Sequence, residues 1–326
     1  MRKETPTRRG LVAAAIGLAA APAAAQPAWP NRPVRILVPY PPGSGTDIVG
    51  RVVAERLAAA LGQPVVVENR AGAGGTLGTD AGAKAAPDGQ TFLISDVGPL
   101  AMAPHLYARL PYDPLRDFAP VGLMARLPFV LAAHPSVPAR DAAEFAALAR
   151  TRPGAFAYAS VGNGSATHLA MELFAQAADV QLTHVPYRGS APALNDLVAG
   201  QVQVMFVNTA SSADLIREGR LRGLAIGSRE ASPVLPGVPT LSRSLGREME
   251  AGVWFGLLAP RGTEARIVER LSEELARALQ DGGVRSRIEA LGGEAAPSTP
   301  DAFGALVAAE VARWAPVVRS SGARID

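Results

Sequence analysis

Two short glycine-rich segments hold the residue types best suited to chemistry. Gly43-Ser44-Gly45-Thr46-Asp47 and Gly162-Asn163-Gly164-Ser165 each lie between an apolar strand run and a helical pattern. A glycine loop entering a helix leaves backbone N–H groups unpaired at the positive end of the helix dipole, which suits an anion. Glycine also lets the backbone approach a ligand closely. The first loop is not built for phosphate: no Gly-Lys-Ser/Thr follows Gly43, and Ile48 stands where a dinucleotide fingerprint needs its third glycine. A carboxylate needs fewer donors than a pyrophosphate. Taken singly, each loop also fits a plain chain reversal; the pair reads as two halves of a clamp on one acidic ligand.

No catalytic constellation accompanies them. His105, His134, His168 and His184 lie far apart without HExxH spacing, and the chain has no cysteine, so neither a metal site nor a thiol nucleophile is expected. Ser160 and His168 are close in sequence, but no G-x-S-x-G elbow is present. His168 is read as orienting a loop or capping a helix. Asp47, or Thr46 beside it, is read as a helix N-cap, and Asp96 as a residue following a strand. No cofactor is expected and the chain is not read as an enzyme.

Apolar runs at Arg35–Val38, Val65–Val67 and Thr91–Ile94 read as strands, and Ile48 to Leu61 as an amphipathic helix. The same grammar returns at Phe156–Ala159, then a helix through Leu169 and Phe174, then strands near His184-Val185, Val202–Phe206 and Leu224–Ile226. Thr263 is placed to cap a long helix, and Pro300 to begin a last one. Strands separated by helices imply an α/β fold with a mostly parallel sheet. The two glycine triplets stand 119 positions apart, and Arg70 and Arg188, in turns after the next strands, 118 apart. That spacing suggests an internal repeat of two similar α/β units.

The formal charge of +3 invites a nucleic-acid or membrane reading. It comes from the first 25 residues, where Arg2, Lys3, Arg8 and Arg9 face only Glu4. A basic stretch, an apolar run from Leu11 to Ala21, and Ala23-Ala24-Ala25 have the layout of a cleavable secretory signal peptide. The apolar run is short for a membrane span, which needs about 20 residues. Arg8-Arg9 loosely matches a twin-arginine signal, but ordinary secretion is expected ahead of it. The expected location is therefore the periplasm, with no nucleic-acid partner.

Trp29-Pro30, Pro39-Tyr40-Pro41-Pro42-Gly43-Ser44-Gly45-Thr46-Asp47 and Val65 to Gly75 resemble the start of the Bug family, also called TctC-like proteins. Leu110-Pro111-Tyr112-Asp113-Pro114, Thr167-His168-Leu169 and His184 to Gly189 continue it, and Trp254, Ala259-Pro260 and Trp314 carry it to the C-terminus. These are periplasmic solute-binding receptors of tripartite tricarboxylate transporters. The resemblance implies a two-lobed periplasmic-binding-protein fold (type II, Venus flytrap) with a ligand cleft between the lobes. Lobe one would comprise 26–127 plus 251–326, and lobe two 128–250.

It further implies a small carboxylate held by loop amides. Tyr40, Pro41, Gly43, Ser44, Gly45, Thr46 and Asp47 would form one side, with Ser95 and Asp96 beside them. Ser160, Gly162, Asn163, Gly164, Ser165 and His168 would form the other, and Tyr187 and Asn208 would line the far wall. Implied partners are membrane permease subunits, or alternatively a membrane histidine kinase; a monomer is expected. Val207 precedes Asn208 where relatives often carry an aspartate, which argues against amino-acid ligands.

Overall fold

The computed structural model describes residues 29–325; the expected signal peptide lies outside them. Ten strands form one sheet among these residues, eight of them along a single path and two, β8 and β10, paired to β4 beside it. They are β1 (Val34–Val38), β2 (Val65–Asn69), β3 (Thr91–Asp96), β4 (Phe118–Ala133), β5 (Ala157–Ser160), β6 (Thr183–Pro186), β7 (Val204–Asn208), β8 (Arg222–Ile226), β9 (Gly252–Pro260) and β10 (Glu294–Ala295). The helices are α1 (Gly45–Leu61), α2 (Thr76–Ala83), α3 (Ala103–Leu106), α4 (Ala142–Arg150), α5 (Ala166–Ala178) and α6 (Ser190–Val198). They continue with α7 (Thr209–Arg217), α8 (Leu241–Leu245), α9 (Ala265–Gln280), α10 (Gly282–Ala290) and α11 (Pro300–Ser321).

The strand order β2-β1-β3-β9-β4-β7-β5-β6 reads alike from both ends. Each end places a unit's second strand, first strand and third strand before a long crossing strand. Within the units the pairings are parallel, whereas β9 against β3 and β4 against β7, β8 and β9 are antiparallel. The sheet is thus more mixed than the parallel one expected. The reason lies in β4, 16 residues long: its first part pairs with β9 and its last residues pair with β7 and β8.

Alternation along the strands fills a core on each face. In β1 and β3, Ile36, Phe92 and Ile94 pack with Val49, Val53 and Leu57 of α1 and with Leu271 and Leu275 of α9. Leu37 and Leu93 face the other way, toward Phe303, Val307 and Trp314 of α11. The second unit repeats this, with Tyr158 and Phe206 facing α4 and α5 and Ala159 and Met205 facing α6. The changeover falls within β4: Leu127 belongs to the first core and Phe129 to the second, with Pro128 between them. Each fully buried leucine or phenylalanine contributes roughly 1.5–3 kcal/mol. The 263–264 junction differs from expectation: Glu264 is the N-cap position of α9, while the Thr263 hydroxyl donates to the Pro260 carbonyl at 2.8 Å.

Candidate functional site

The loop after β1 is fixed by a serine. Ser44 is extended (φ −67°, ψ 158°) and its Oγ accepts from the Asp47 N–H at 3.3 Å, so Ser44 is the N-cap of α1 in place of Thr46 or Asp47. Asp47 sits in the first turn instead, 3% exposed, and reaches back to accept from the Gly43 N–H at 2.9 Å. Arg51 Nε at 3.0 Å and Asn69 Nδ2 at 2.8 Å also donate to its carboxylate. Burial pushes the Asp47 pKa up, but Arg51, the Gly43 amide and Asn69 outweigh it and hold the carboxyl below its usual range. The amide of Gly43 is therefore already occupied, and that of Ser44 donates to Pro41 at 3.3 Å. Gly45 and Thr46, the first two helical residues, keep amides with no partner among the described residues.

The second unit uses the same device. Ser165 is extended (φ −69°, ψ 161°) and caps α5 by accepting from the His168 N–H at 3.3 Å. The Gly164 N–H donates to His168 Nδ1 at 3.0 Å. Again the glycine amide is occupied, and the amides without partners among the described residues are those of Ala166 and Thr167. The repeat therefore aligns Ser44 with Ser165, not glycine with glycine, and the open donors lie just inside the helices.

Behind the second loop stands a stack of rings. The His168 and His184 rings lie 4.0 Å apart, nearly parallel, with Tyr158 4.8 Å beyond His184. His184 Nε2 meets Ser160 Oγ at 2.7 Å, and Ser160 Oγ also donates to the Gly162 carbonyl at 3.1 Å. Burial pushes both imidazoles down to about 4. Because His168 Nδ1 accepts from Gly164, this imidazole is neutral, and protonating it breaks the bond that shapes the loop. A histidine whose folded-state pKa is depressed stabilises the fold above its unfolded pKa and loses that contribution as pH falls. The melting temperature is expected to drop between pH 6.5 and pH 4. The drop should be smaller in His168→Asn, whose amide oxygen can take over from Nδ1; equal drops in both proteins would remove His168 as the cause.

Both helix starts open onto one cavity of about 660 Å³. It is lined by Tyr40, Ser44, Gly45, Thr46 and Asp96 from the first unit, and by Gly162, Asn163, Gly164, Ser165 and Asn208 from the second. The other expected residues lie outside this lining. Pro41 and Gly43 are exposed, and Asp47 is sealed under its loop. Ser95 Oγ meets Thr79 Oγ1 at 3.2 Å, Ser160 and His168 stand behind the second loop, and Tyr187 donates to Asp196 at 2.7 Å. Burial, then Asp196, pushes the Tyr187 phenol up to about 12.

The floor is apolar. The crossing strands supply Leu127 and Phe129 from β4 and Val253 and Phe255 from β9, joined by Met102, Leu106 and Ile325. Sequence reasoning did not find these residues, because none sits in a local motif; only the strand crossing gathers them. No arginine, lysine or histidine is among the lining residues, and Asp96 is their sole acid. Asp96 is 6% exposed, and burial raises its pKa to about 6 against the Gly98 amide, Tyr40 and Thr46, all of which favour the ionised form. Among the described residues no cluster of His, Cys, Asp or Glu could hold a metal ion.

Two α/β units joined by crossing strands, with paired helix N-termini over one interlobe cavity, define a two-lobed solute-binding protein. The chain belongs to the tripartite tricarboxylate transporter family of receptors, TctC, whose family model matches residues 49–323. It is 40% identical over 317 residues to Protein BugT of Bordetella pertussis, covering 97% of each chain. Among solved structures it resembles R. palustris Rpa4515 with adipate, at 36% identity and a TM-score of 0.77, over 91% of this chain and 100% of that one. It also resembles MatC from Rhodopseudomonas palustris with bound malate, at 37% identity and a TM-score of 0.73, over 89% and 100%. These relatives are receptors, and the chain is a solute-binding receptor, not an enzyme.

Proposed function

We propose that this receptor captures a small carboxylate in the periplasm and presents it to a membrane permease. The observation that carries this is the pair of serine-capped helix N-termini, Gly45-Thr46 and Ala166-Thr167, whose open amides border one cavity. Each terminus contributes typically ~0.3–1 kcal/mol to an anion, up to ~2 when partly buried, so water exclusion and direct amide bonds supply most of the affinity. Lobe one comprises 26–127 plus 251–326 and lobe two 128–250, a division supported by the separation of the cores on either side of Pro128. Ligand contacts to both lobes arise together only when they close, so binding shifts the population toward the closed state. Secretion through the leader in residues 1–25 belongs to the same reading, and the relatives with adipate and malate support the ligand class.

A thermal-shift screen with adipate, malate, benzoate and citrate tests it. At 100 times its dissociation constant a ligand stabilises by about 2.7 kcal/mol, a shift of roughly 4 °C for a chain of this size. Citrate should be the weakest, because no cation lines the cavity to offset its extra charge. No shift with any of these acids would remove the carboxylate reading.

A further inference from the structure

The cleft keeps an acid where the proposed ligand is also an acid. Asp96, the last residue of β3, borders the cavity at 6% exposure. Its Oδ1 accepts from the Gly98 N–H at 2.8 Å and from the Tyr40 hydroxyl at 3.1 Å. The Thr46 side chain bonds to it as well, and the Thr46 backbone amide is one of the two open donors of α1. A carboxylate bound at that helix start would therefore sit within one residue's reach of the Asp96 carboxyl. Two like charges that close, in a cavity without a cation, cannot both remain ionised. Resting on the carboxylate reading, we propose that Asp96 takes up one proton from solvent when an anion is captured. It thereby becomes a hydrogen-bond donor to the ligand and couples capture to pH.

The surrounding groups leave Asp96 as the residue that titrates. Tyr40 and Tyr112 are pushed above the ordinary phenol range by burial, then by Asp96, and Tyr107 adds a third phenol to this cluster. Asp47, on the neighbouring helix, is held ionised by Arg51, and Asp80 pairs with Lys84. Lobe two offers no titratable side chain to the cavity; His168 and His184 lie behind its loop and are pushed down to about 4. The free receptor already holds the Asp96 carboxyl at about 6, and an adjacent anion raises it further. The bound state therefore carries more protons than the free state. Affinity strengthens as pH falls from 8 toward 6, and levels off below 6, where the free receptor is protonated too.

Calorimetric titration of the mature protein with adipate, malate and benzoate, between pH 6 and 8 in buffers of different ionisation enthalpy, reads this directly. For a probe that binds, wild type should take up close to one proton near pH 7.5 and lose affinity about tenfold per pH unit above 7. Asp96→Asn keeps an acceptor for Tyr40 and Gly98. It should bind the same probe at pH 8 at least tenfold tighter than wild type, without proton uptake. Binding only by the variant would also support the proposal, as relief of repulsion. Wild-type binding without proton exchange would overturn it and leave the carboxylate reading standing. So would a probe that Asp96→Asn loses at every pH, since Asp96 would then accept from a ligand hydroxyl or ammonium. Failure of all three probes with both proteins would remove the carboxylate reading itself, and this proposal with it.

Discussion

Gly227→Ala is expected to lower the unfolding free energy by about 3 kcal/mol or more, beyond the usual cost of overpacking. Gly227 follows β8 and packs beside the two segments that cross between the lobes, at Phe129 and Ala251. Its amide donates to the Phe129 carbonyl at 2.8 Å, and its carbonyl accepts from Ala251 at 3.1 Å. A Cβ at this position would lie 1.9 Å from the Ala251 oxygen and 2.7 Å from its carbonyl carbon. Backbone atoms cannot turn aside as a side-chain tip can, so three segments must separate: the end of β8, the start of β9 and the middle of β4. The melting temperature should fall by roughly 5 °C or more. Gly237→Ala is the control, because a Cβ there meets nothing within 4 Å. Equal melting of the two variants would mean that the crossing is not tightly packed.

The units were legible in the sequence because their signals are local. The run Arg35–Val38, the glycine turn and the helical spacing from Ile48 to Leu61 lie within thirty residues and appear as β1, its loop and α1. The crossing strands were not, because their pattern serves two cores. In β4, Leu127 faces one core and Phe129 the other, and Pro120 and Pro128 interrupt an otherwise apolar run. No single period describes such a strand. The same cause hid the cavity floor, which Leu127, Phe129, Val253 and Phe255 build at the crossing.

The anion loops were legible as loops, but the donors within them were displaced by two side chains. Asp47 and His168 each occupy the amide of a flanking glycine, Gly43 or Gly164. Both lie three residues after their serine caps, so a cap-box reading of Ser44 and Ser165 would have found them. Asp96 was legible only as a residue after a strand; its burial beside Thr46 and Tyr40 arises from the way β3 packs next to β1.

That placement of the donors leads to the second large effect. Gly45→Pro and Ala166→Pro should each weaken capture of the best carboxylate from the screen by about 10- to 150-fold. That range corresponds to one hydrogen bond to a charged group, about 1.5–3 kcal/mol. Proline removes the amide hydrogen and fixes φ near the helical value, so the first helical position tolerates it. It also requires an extended residue before it, and Ser44 at ψ 158° and Ser165 at ψ 161° already meet that demand. Neither substitution touches the cap bonds to Asp47 and His168, so each apo variant should melt close to wild type. Gly45→Ala separates a lost donor from lost space: its Cβ would rest 3.4 Å from the Phe255 ring, an ordinary contact, and binding should persist. Each helix keeps a second open amide, at Thr46 or Thr167, so Gly45→Pro and Ala166→Pro should each weaken the hold of one lobe on the anion without abolishing it. The ligand's preference for the closed state should shrink by the same factor, so ligand-induced closure, read by small-angle scattering, should need correspondingly more carboxylate in each variant. Closure of both variants at the wild-type carboxylate concentration would place the ligand's anchoring donors elsewhere in the cavity.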